Sequence, residues 1–233
     1  MQIAILCGGL ATRLGNISKN TPKSMINIEG KPFLEYQINE LKKQNVKDFV
    51  LCVGHLSEQI KDYFGDGKSF DVEIKYSHDG DIPLGPIGAL KKAQPLLDDV
   101  FFTLYGDSFV FADCAKIYNF FTKQNTLGLM TVFHNHDQHD KSNVIIKDGK
   151  VVQYSGKKTQ DMKYVDYGLS IFKKETLNII PENTFFSTKD LFTKLVEQNQ
   201  LLGFEMSKRF YHIGNLESLE EFRNYIKNRK QNL

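Results

Sequence analysis

The chain lacks the features that would place it in a membrane, a fibre or a disulfide framework. No apolar run in its 233 residues approaches the roughly 20 residues of a bilayer-spanning helix; Val100 to Tyr105 is among the longest. Neither sign of charge is in excess: 30 Lys and Arg against 28 Asp and Glu leave a formal +2, so no overall field points to nucleic acid or an anionic membrane as the main partner. A local basic site remains compatible with that balance. The three cysteines, Cys7, Cys52 and Cys114, are too scattered for a disulfide framework or a CxxC zinc site, and a reducing cytoplasm is the expected setting. Cys7 and Cys52 fall in apolar, strand-like runs and read as small buried hydrophobes rather than reactive thiols. There is no internal repeat, low-complexity segment or Pro/Gly/Ser-rich joint, so residues 1–233 read as a single domain.

What is present is alternation. Ile3 to Cys7 and Phe49 to Val53 are short apolar runs next to glycine, as buried parallel strands should be, and the N-terminal run reads as a first strand rather than a secretory signal. Between them, Leu34, Ile38 and Leu41 fall on one face of a helix expected over Phe33 to Gln44. Helices are then expected near Ser57 to Phe64, Ile87 to Leu97, Asp113 to Gln124 and Thr188 to Gln198. A final helix should carry Leu216, Leu219, Phe222 and Ile226 on one face. Strands are expected at Val72 to Tyr76, Val100 to Tyr105, Leu127 to Phe133, Tyr164 to Phe172 and Phe210 to Ile213. Asp148-Gly149 between Val144 to Lys147 and Val151 to Tyr154 is a hairpin signal, because a type I′ turn needs positive φ at both central residues. The expected fold is therefore α/β: a Rossmann-like, mixed but mostly parallel sheet flanked by helices, with antiparallel strands added in the second half.

Three groups of residues carry chemistry. Gly8 and Gly9 end the first strand, at the carboxyl edge where α/β proteins place ligands; they can form either a tight turn or a nest of N–H groups for an anion. The spacing is neither a P-loop nor GxGxxG. Arg13 and Lys23 bring a bidentate fork and a compact cation to that nest, a pair suited to a polyphosphate. Asp107, in Gly106-Asp107-Ser108 directly after a very apolar strand, can hold a hard cation such as Mg2+ or cap the following turn.

These residues, in this order, resemble the sugar-1-phosphate nucleotidyltransferases, also called NDP-sugar pyrophosphorylases. The family's GGxGTRL-like loop stands here as Gly8 to Leu14, its Pro-Lys pair as Pro22-Lys23 and its Gly-Lys-Pro turn as Gly30-Lys31-Pro32. Its PLGTxGA loop stands as Pro83 to Ala89, and its Gly-Asp dipeptide as Gly106-Asp107. Within the family the chain looks most like the short heptose or mannose 1-phosphate guanylyltransferases. The resemblance implies nucleotidyl transfer from a nucleoside triphosphate, GTP by preference, to a sugar 1-phosphate with release of pyrophosphate, for surface-polysaccharide precursors. It implies Mg2+ on Asp107, with Arg13, Lys23 and Asp107 as the catalytic set. Leu6, Gly8, Gly9, Ala11, Thr12, Arg13, Lys23, Gly85 and Gly88 would bind nucleotide; Lys157, Asp166, Gly168 and His212 would bind the sugar phosphate. Neither nucleic acid nor membrane is implied as a partner, and homo-oligomerisation stays open.

The pattern departs from the family at four places. Ala11 replaces a glycine, Pro86-Ile87 replaces a smaller pair, and Ser155-Gly156 precedes Lys157 where an acidic pair is common. His212 stands before Ile213-Gly214 where the family presents an acid, and neutral imidazole is a poor Mg2+ ligand, so His212 either loses a metal contact or meets substrate instead. His134, His136 and His139 read as a polar loop after a strand, His55 as a pocket or turn residue, and Lys227 to Lys230 as a solvated helix end. Two other functions share part of the pattern: cytidylyl transfer to a non-sugar phosphate such as phosphocholine, against which the Pro83 to Ala89 loop speaks, and a catalytically silent binding paralogue, against which the joint retention of Gly8, Arg13, Lys23 and Asp107 speaks.

Overall fold

The computed structural model describes residues 1–9, 14–15, 20–80, 84–136, 138 and 140–231. Ala11, Thr12, Arg13, Pro83 and His139 therefore lie outside the described residues.

The apolar runs become the centre of one sheet. β1 (Gln2–Leu6), β4 (Asp48–Val53), β5 (Glu73–His78) and β6 (Val100–Tyr105) are mutually parallel, in the order β5-β4-β1-β6. β1 lies between two neighbours and is covered on both faces, which is why Ile3, Ala4 and Ile5 show no exposure and why the run carries no alternation. Between β1 and β4 the chain makes a small hairpin, β2 (Asn27–Ile28) and β3 (Lys31–Pro32), then α1 (Phe33–Lys42). α1 buries Phe33, Leu34, Gln37, Ile38 and Leu41. α2 (Ser57–Phe64) joins β4 to β5 and α3 (Gly85–Lys92) precedes β6, so the helix expected to run to Leu97 stops early and continues as a 3-10 turn over Gln94–Leu96. Pro95 explains the break, since it has no N–H for the α-helical ladder.

The second half supplies the antiparallel strands. After β7 (Ser108–Phe109) and α4 (Cys114–Phe121) come β8 (Gly128–His134), the hairpin β9 (Val144–Lys147) and β10 (Lys150–Tyr154), and β11 (Tyr164–Lys173). Then follow α5 (Thr188–Glu197), β12 (Leu201–Met206), β13 (Tyr211–His212) and α6 (Leu216–Gln231). The sheet continues from β6 as β11-β8-β12-β10-β9, with β11 antiparallel to β6 and β8, and β12 parallel to β8. The hairpin turn has the predicted geometry, φ 49° at Asp148 and 75° at Gly149. α5 begins on a capping box in which Ser187 and Asp190 exchange hydrogen bonds.

Apolar side chains pack on both faces of the sheet, and a third cluster under α6 gathers Phe33, Phe109 and Phe222. Leu219, Phe222 and Ile226 face that cluster as expected, while Leu216, at the start of α6, is 54% exposed. All three cysteines are buried, and burial pushes the thiols of Cys7 and Cys114 up to about 12, consistent with inert packing. No helix among the described residues is long and apolar enough to cross a membrane.

Candidate active site

The order β5-β4-β1-β6 reverses direction at β1: the chain builds outward through β4 to β5, then returns to place β6 on the other side of β1. Such a switch point opens a crevice at the carboxyl ends of the strands. A cleft of about 510 Å3 lies there, lined by Leu6, Cys7, Gly8 and Gly9 from the end of β1 and by Cys52 from β4. Asp79 lines it just after β5, and Tyr105, Gly106 and Asp107 at the end of β6. Lys23 and Ser24 close it from one side; Leu84, Gly85, Pro86, Ala89, Phe185 and Thr188 form an apolar wall on another.

One end of the cleft is charged. Lys23 Nζ lies 2.6 Å from Asp107 Oδ2, with the two side chains 20% and 31% exposed. The mount of Asp107 is built from backbone. Gly106 N donates to Leu6 O at 3.1 Å and Ile213 N donates to Asp107 O at 2.9 Å. A Cβ at Gly106 would sit 2.6 Å from Leu6 O, so β6 can cross the end of β1 only with glycine there. β13 pairs with β7, His212 opposite Ser108, which brings the Ile213-Gly214 segment beside Gly106-Asp107.

The other end holds a second carboxylate that the sequence reading did not single out. Asp79 Oδ1 is buried and accepts no hydrogen bond from the described residues, and burial pushes its carboxyl up to about 6. The nearby Lys92 charge opposes that rise. Asp79 Oδ2 stands against the first glycine of the β1 loop, 2.8 Å from where a Gly8 Cβ would be. Asp79 and Asp107 follow β5 and β6, which are three strand intervals apart in the sheet; at about 4.8 Å per interval that is roughly 14 Å. The expected strand ended at Tyr76, so Asp79 lay in an unremarked loop; the polar end of β5, unlike the apolar β6 before Asp107, gave it no signal.

The family model described as "Nucleotidyl transferase" matches residues 3–229. The chain belongs to that family. Its relatives include the D-glycero-alpha-D-manno-heptose 1-phosphate guanylyltransferase of Campylobacter jejuni, 34% identical over 86% of this chain and 81% of that protein. The enzyme of the same name from Aneurinibacillus thermoaerophilus is 30% identical over 92% and 93%. In fold, the chain is similar to HddC from Yersinia pseudotuberculosis complexed with GMP-PN, with a TM-score of 0.82 over 97% of this chain and 99% of that one at 23% identity.

Of the nucleotidyltransferase residues expected from sequence, the cleft brings together Leu6, Gly8, Gly9, Lys23, Gly85 and Asp107. Gly88 lies behind its wall: Ile87 N and Gly88 N both donate to Phe186 O, and a Cβ at Gly88 would meet Thr184 O at 2.8 Å. That glycine lets α3 dock the 184–186 segment, which carries the exposed ring of Phe185 to the lip of the cleft. Asp166 is buried behind Tyr105, whose hydroxyl donates to Asp166 Oδ2 at 2.8 Å, and Oδ1 accepts the Gly168 N–H at 2.9 Å. Burial pushes the Asp166 carboxyl up to about 6. Gly168, at φ 89°, closes a bulge in β11 against Ser108. Lys157 is exposed, its N–H on Ser155 Oγ at 3.1 Å, and His55 is exposed outside the cleft lining.

His212 Nδ1 accepts the Gly214 N–H at 3.0 Å, which leaves the ring proton on Nε2, facing Asp140 Oδ1 at 3.2 Å. The imidazole thus ties the loop after β8 to the strand beside Asp107. His134 ends β8 and His136 lies in the turn after it, their ring centroids 4.0 Å apart.

Proposed function

We propose that the chain transfers a guanylyl group from GTP to the 1-phosphate of a heptose or mannose, releasing pyrophosphate. The observation that supports this best is the polarity of the cleft: a Lys–Asp pair at one end, at the other a carboxylate whose Oδ1 accepts no hydrogen bond from the described residues, and a glycine turn between. A nucleotide laid across the four strand ends has its phosphates at Lys23 and Asp107 and its base at Asp79. Guanine presents two adjacent donors, N1–H and the N2 amino group, which a carboxylate accepts side by side. Uracil offers one N–H between two carbonyls, while adenine and cytosine pair a single amino donor with a ring acceptor, so each sets an acceptor against Asp79. The heptose acceptor is carried by the names of the relatives, and the mannose alternative by the resemblance.

The donor set at Asp107 fits a hard divalent cation: a carboxylate at the cleft surface that substrate phosphates complement, as Mg2+ prefers. Asp107 would hold Mg2+, which when bound neutralises charge on the phosphates. Lys23, drawn from Asp107 to the α-phosphoryl oxygens, stabilises the charge that builds there, and Arg13 is assigned to the departing pyrophosphate by resemblance. The sugar 1-phosphate oxygen attacks the α-phosphorus in line; the bond to the bridging oxygen of the β-phosphate breaks, and pyrophosphate leaves with that electron pair. Tyr105, oriented by Asp166, and Thr188 line the side left for the acceptor, with Lys157, Gly168 and His212 assigned to the sugar phosphate by resemblance. Residues 1–233 act as one domain, in the reducing cytoplasm that the scattered, buried cysteines fit.

A pyrophosphate-release assay over the four ribonucleoside triphosphates, crossed with heptose, mannose and glucose 1-phosphates and phosphocholine, tests the reading. Turnover is expected with GTP and a heptose or mannose 1-phosphate. Preference for CTP with phosphocholine, or binding without turnover, would replace it with one of the two rival functions.

A further inference from the structure

α1 buries two side chains that the apolar pattern does not explain: Glu35, which is paired with Lys31 and Tyr63, and Gln37. Gln37 is 1% exposed, and its Nε2 donates to Tyr105 O at 2.9 Å and to Ser108 O at 2.7 Å. These carbonyls bracket Gly106 and Asp107. A single amide group therefore staples both ends of the turn that presents the carboxylate, from a helix nearly 70 positions away in sequence. Gln37 Oε1 is itself buried with no hydrogen-bond partner among the described residues. Leaving an acceptor unsatisfied is costly, and it is tolerated here together with two well-made donor contacts.

The geometry points to Gln37 as the positioning residue that fixes the direction of the Asp107 carboxylate, and so sets the affinity of the site for its divalent cation. Among the described residues, the backbone of Asp107 is held at its carbonyl, through Ile213. Its side chain meets Lys23 at 2.6 Å and the Ser108 hydroxyl at 3.4 Å. The flanking carbonyls are what orient the Cα–Cβ bond of Asp107, and Gln37 holds them both. Both donors come from the one amide nitrogen, Nε2, on which the two carbonyls converge. α1 also packs against the Lys23–Met25 turn, so the same helix registers the cation and the carboxylate of the site relative to each other.

This inference rests on Asp107 as the metal-bearing residue, and the test separates the two claims. Mn2+ binding to the protein in the presence of GTP is measured from the electron paramagnetic resonance of the free ion, with the Mn2+ taken up by GTP alone subtracted, for wild type, Gln37→Met, Gln37→Glu and the control Asp107→Asn. Gln37→Met, which keeps the size but has no donor, is expected to weaken Mn2+ binding roughly 10- to 100-fold, as loss of a ligand's supporting hydrogen bond commonly does. The Mg2+ required for half-maximal rate should rise in parallel while the KM for GTP at saturating metal holds. Gln37→Glu sets a carboxylate against two carbonyls, so its defect should deepen as pH rises and ease as the introduced acid protonates and donates once. A role in helix packing alone would lower the melting temperature and the folded fraction and leave Mn2+ affinity and pH profile at wild-type values; that result overturns the inference. Should Gln37→Met fail to fold, the pH profile of Gln37→Glu decides. If Asp107→Asn itself binds Mn2+ normally, the metal role of Asp107 is wrong; if it binds weakly while both Gln37 variants bind normally, Gln37 alone is wrong.

Discussion

Asp79→Asn separates base recognition from the rest of the site. The amide keeps the shape of the carboxylate but offers one acceptor and one donor where guanine needs two acceptors. One hydrogen bond to a charged group is lost and one donor is turned against the N2 amino group, together worth about 2 kcal/mol, or roughly 30-fold in kcat/KM for GTP. The same amide complements uracil, donating to a ring carbonyl and accepting N3–H, so kcat/KM for UTP should rise as that for GTP falls. The fold should gain. A carboxyl raised to about 6 in the folded chain, against about 4 when unfolded, costs nothing below pH 4 and imposes its full cost above pH 6. For a half-buried group that cost is roughly 1–2 kcal/mol after solvent screening, so the variant should melt higher than wild type at pH 7.5 and equally at pH 4. GTP affinity of the wild type should rise as pH increases through 6, and the variant should lose that dependence. The assays are pyrophosphate release with each triphosphate at fixed acceptor, and thermal unfolding at the two pH values. Unchanged selectivity for GTP in the variant would refute the assignment of Asp79 to the base.

Lys23→Ala and Asp107→Asn should each lower kcat by at least about 100-fold with the melting temperature nearly kept, since their charges act where phosphoryl charge shifts; near-normal turnover in the pyrophosphate assay contradicts both roles. Gly106→Ala should cost about 1–3 kcal/mol in denaturant unfolding, because the added methyl meets the backbone oxygen of Leu6 rather than a side chain that can turn away; an unchanged midpoint would show that β6 can shift. His212→Asp should not tighten metal binding. It removes the acceptor for the Gly214 N–H, sets a carboxylate facing Asp140, and should lower stability by about 1 kcal/mol, read by calorimetry; a fall in the Mg2+ needed for half-maximal rate would contradict this.

The parts of the site visible in the sequence are those that sit directly at strand ends. Gly8, Gly9 and Asp107 follow β1 and β6, and an apolar run ending in glycine announces both the strand and its tip. Lys23 was found by its motif. What the sequence hid depends on tertiary partners. Asp79 was missed because β5 runs two residues past the expected end at Tyr76, through His78, whose polar side chains read as loop. β12 went unpredicted because Leu201-Leu202-Gly203 is a short run interrupted by glycine, and only pairing with β8 makes it a strand. Gln37 looks like a surface residue in one dimension; its burial follows from carbonyls some 70 residues on. His212 was expected at a metal or a substrate; that it also faces Asp140, in a loop 72 residues earlier, is a tertiary contact the sequence does not show.

The central claim, guanylyl transfer to a sugar 1-phosphate, is tested most directly by identifying the products. The protein is incubated with Mg2+, GTP and D-glycero-alpha-D-manno-heptose 1-phosphate labelled with oxygen-18 in its phosphate, and the products are resolved by mass spectrometry. In-line attack by the phosphate oxygen predicts a GDP-sugar that retains every labelled oxygen, formed in equal amount with unlabelled pyrophosphate. Appearance of GMP with pyrophosphate and unchanged sugar phosphate, or label in the pyrophosphate, would contradict it.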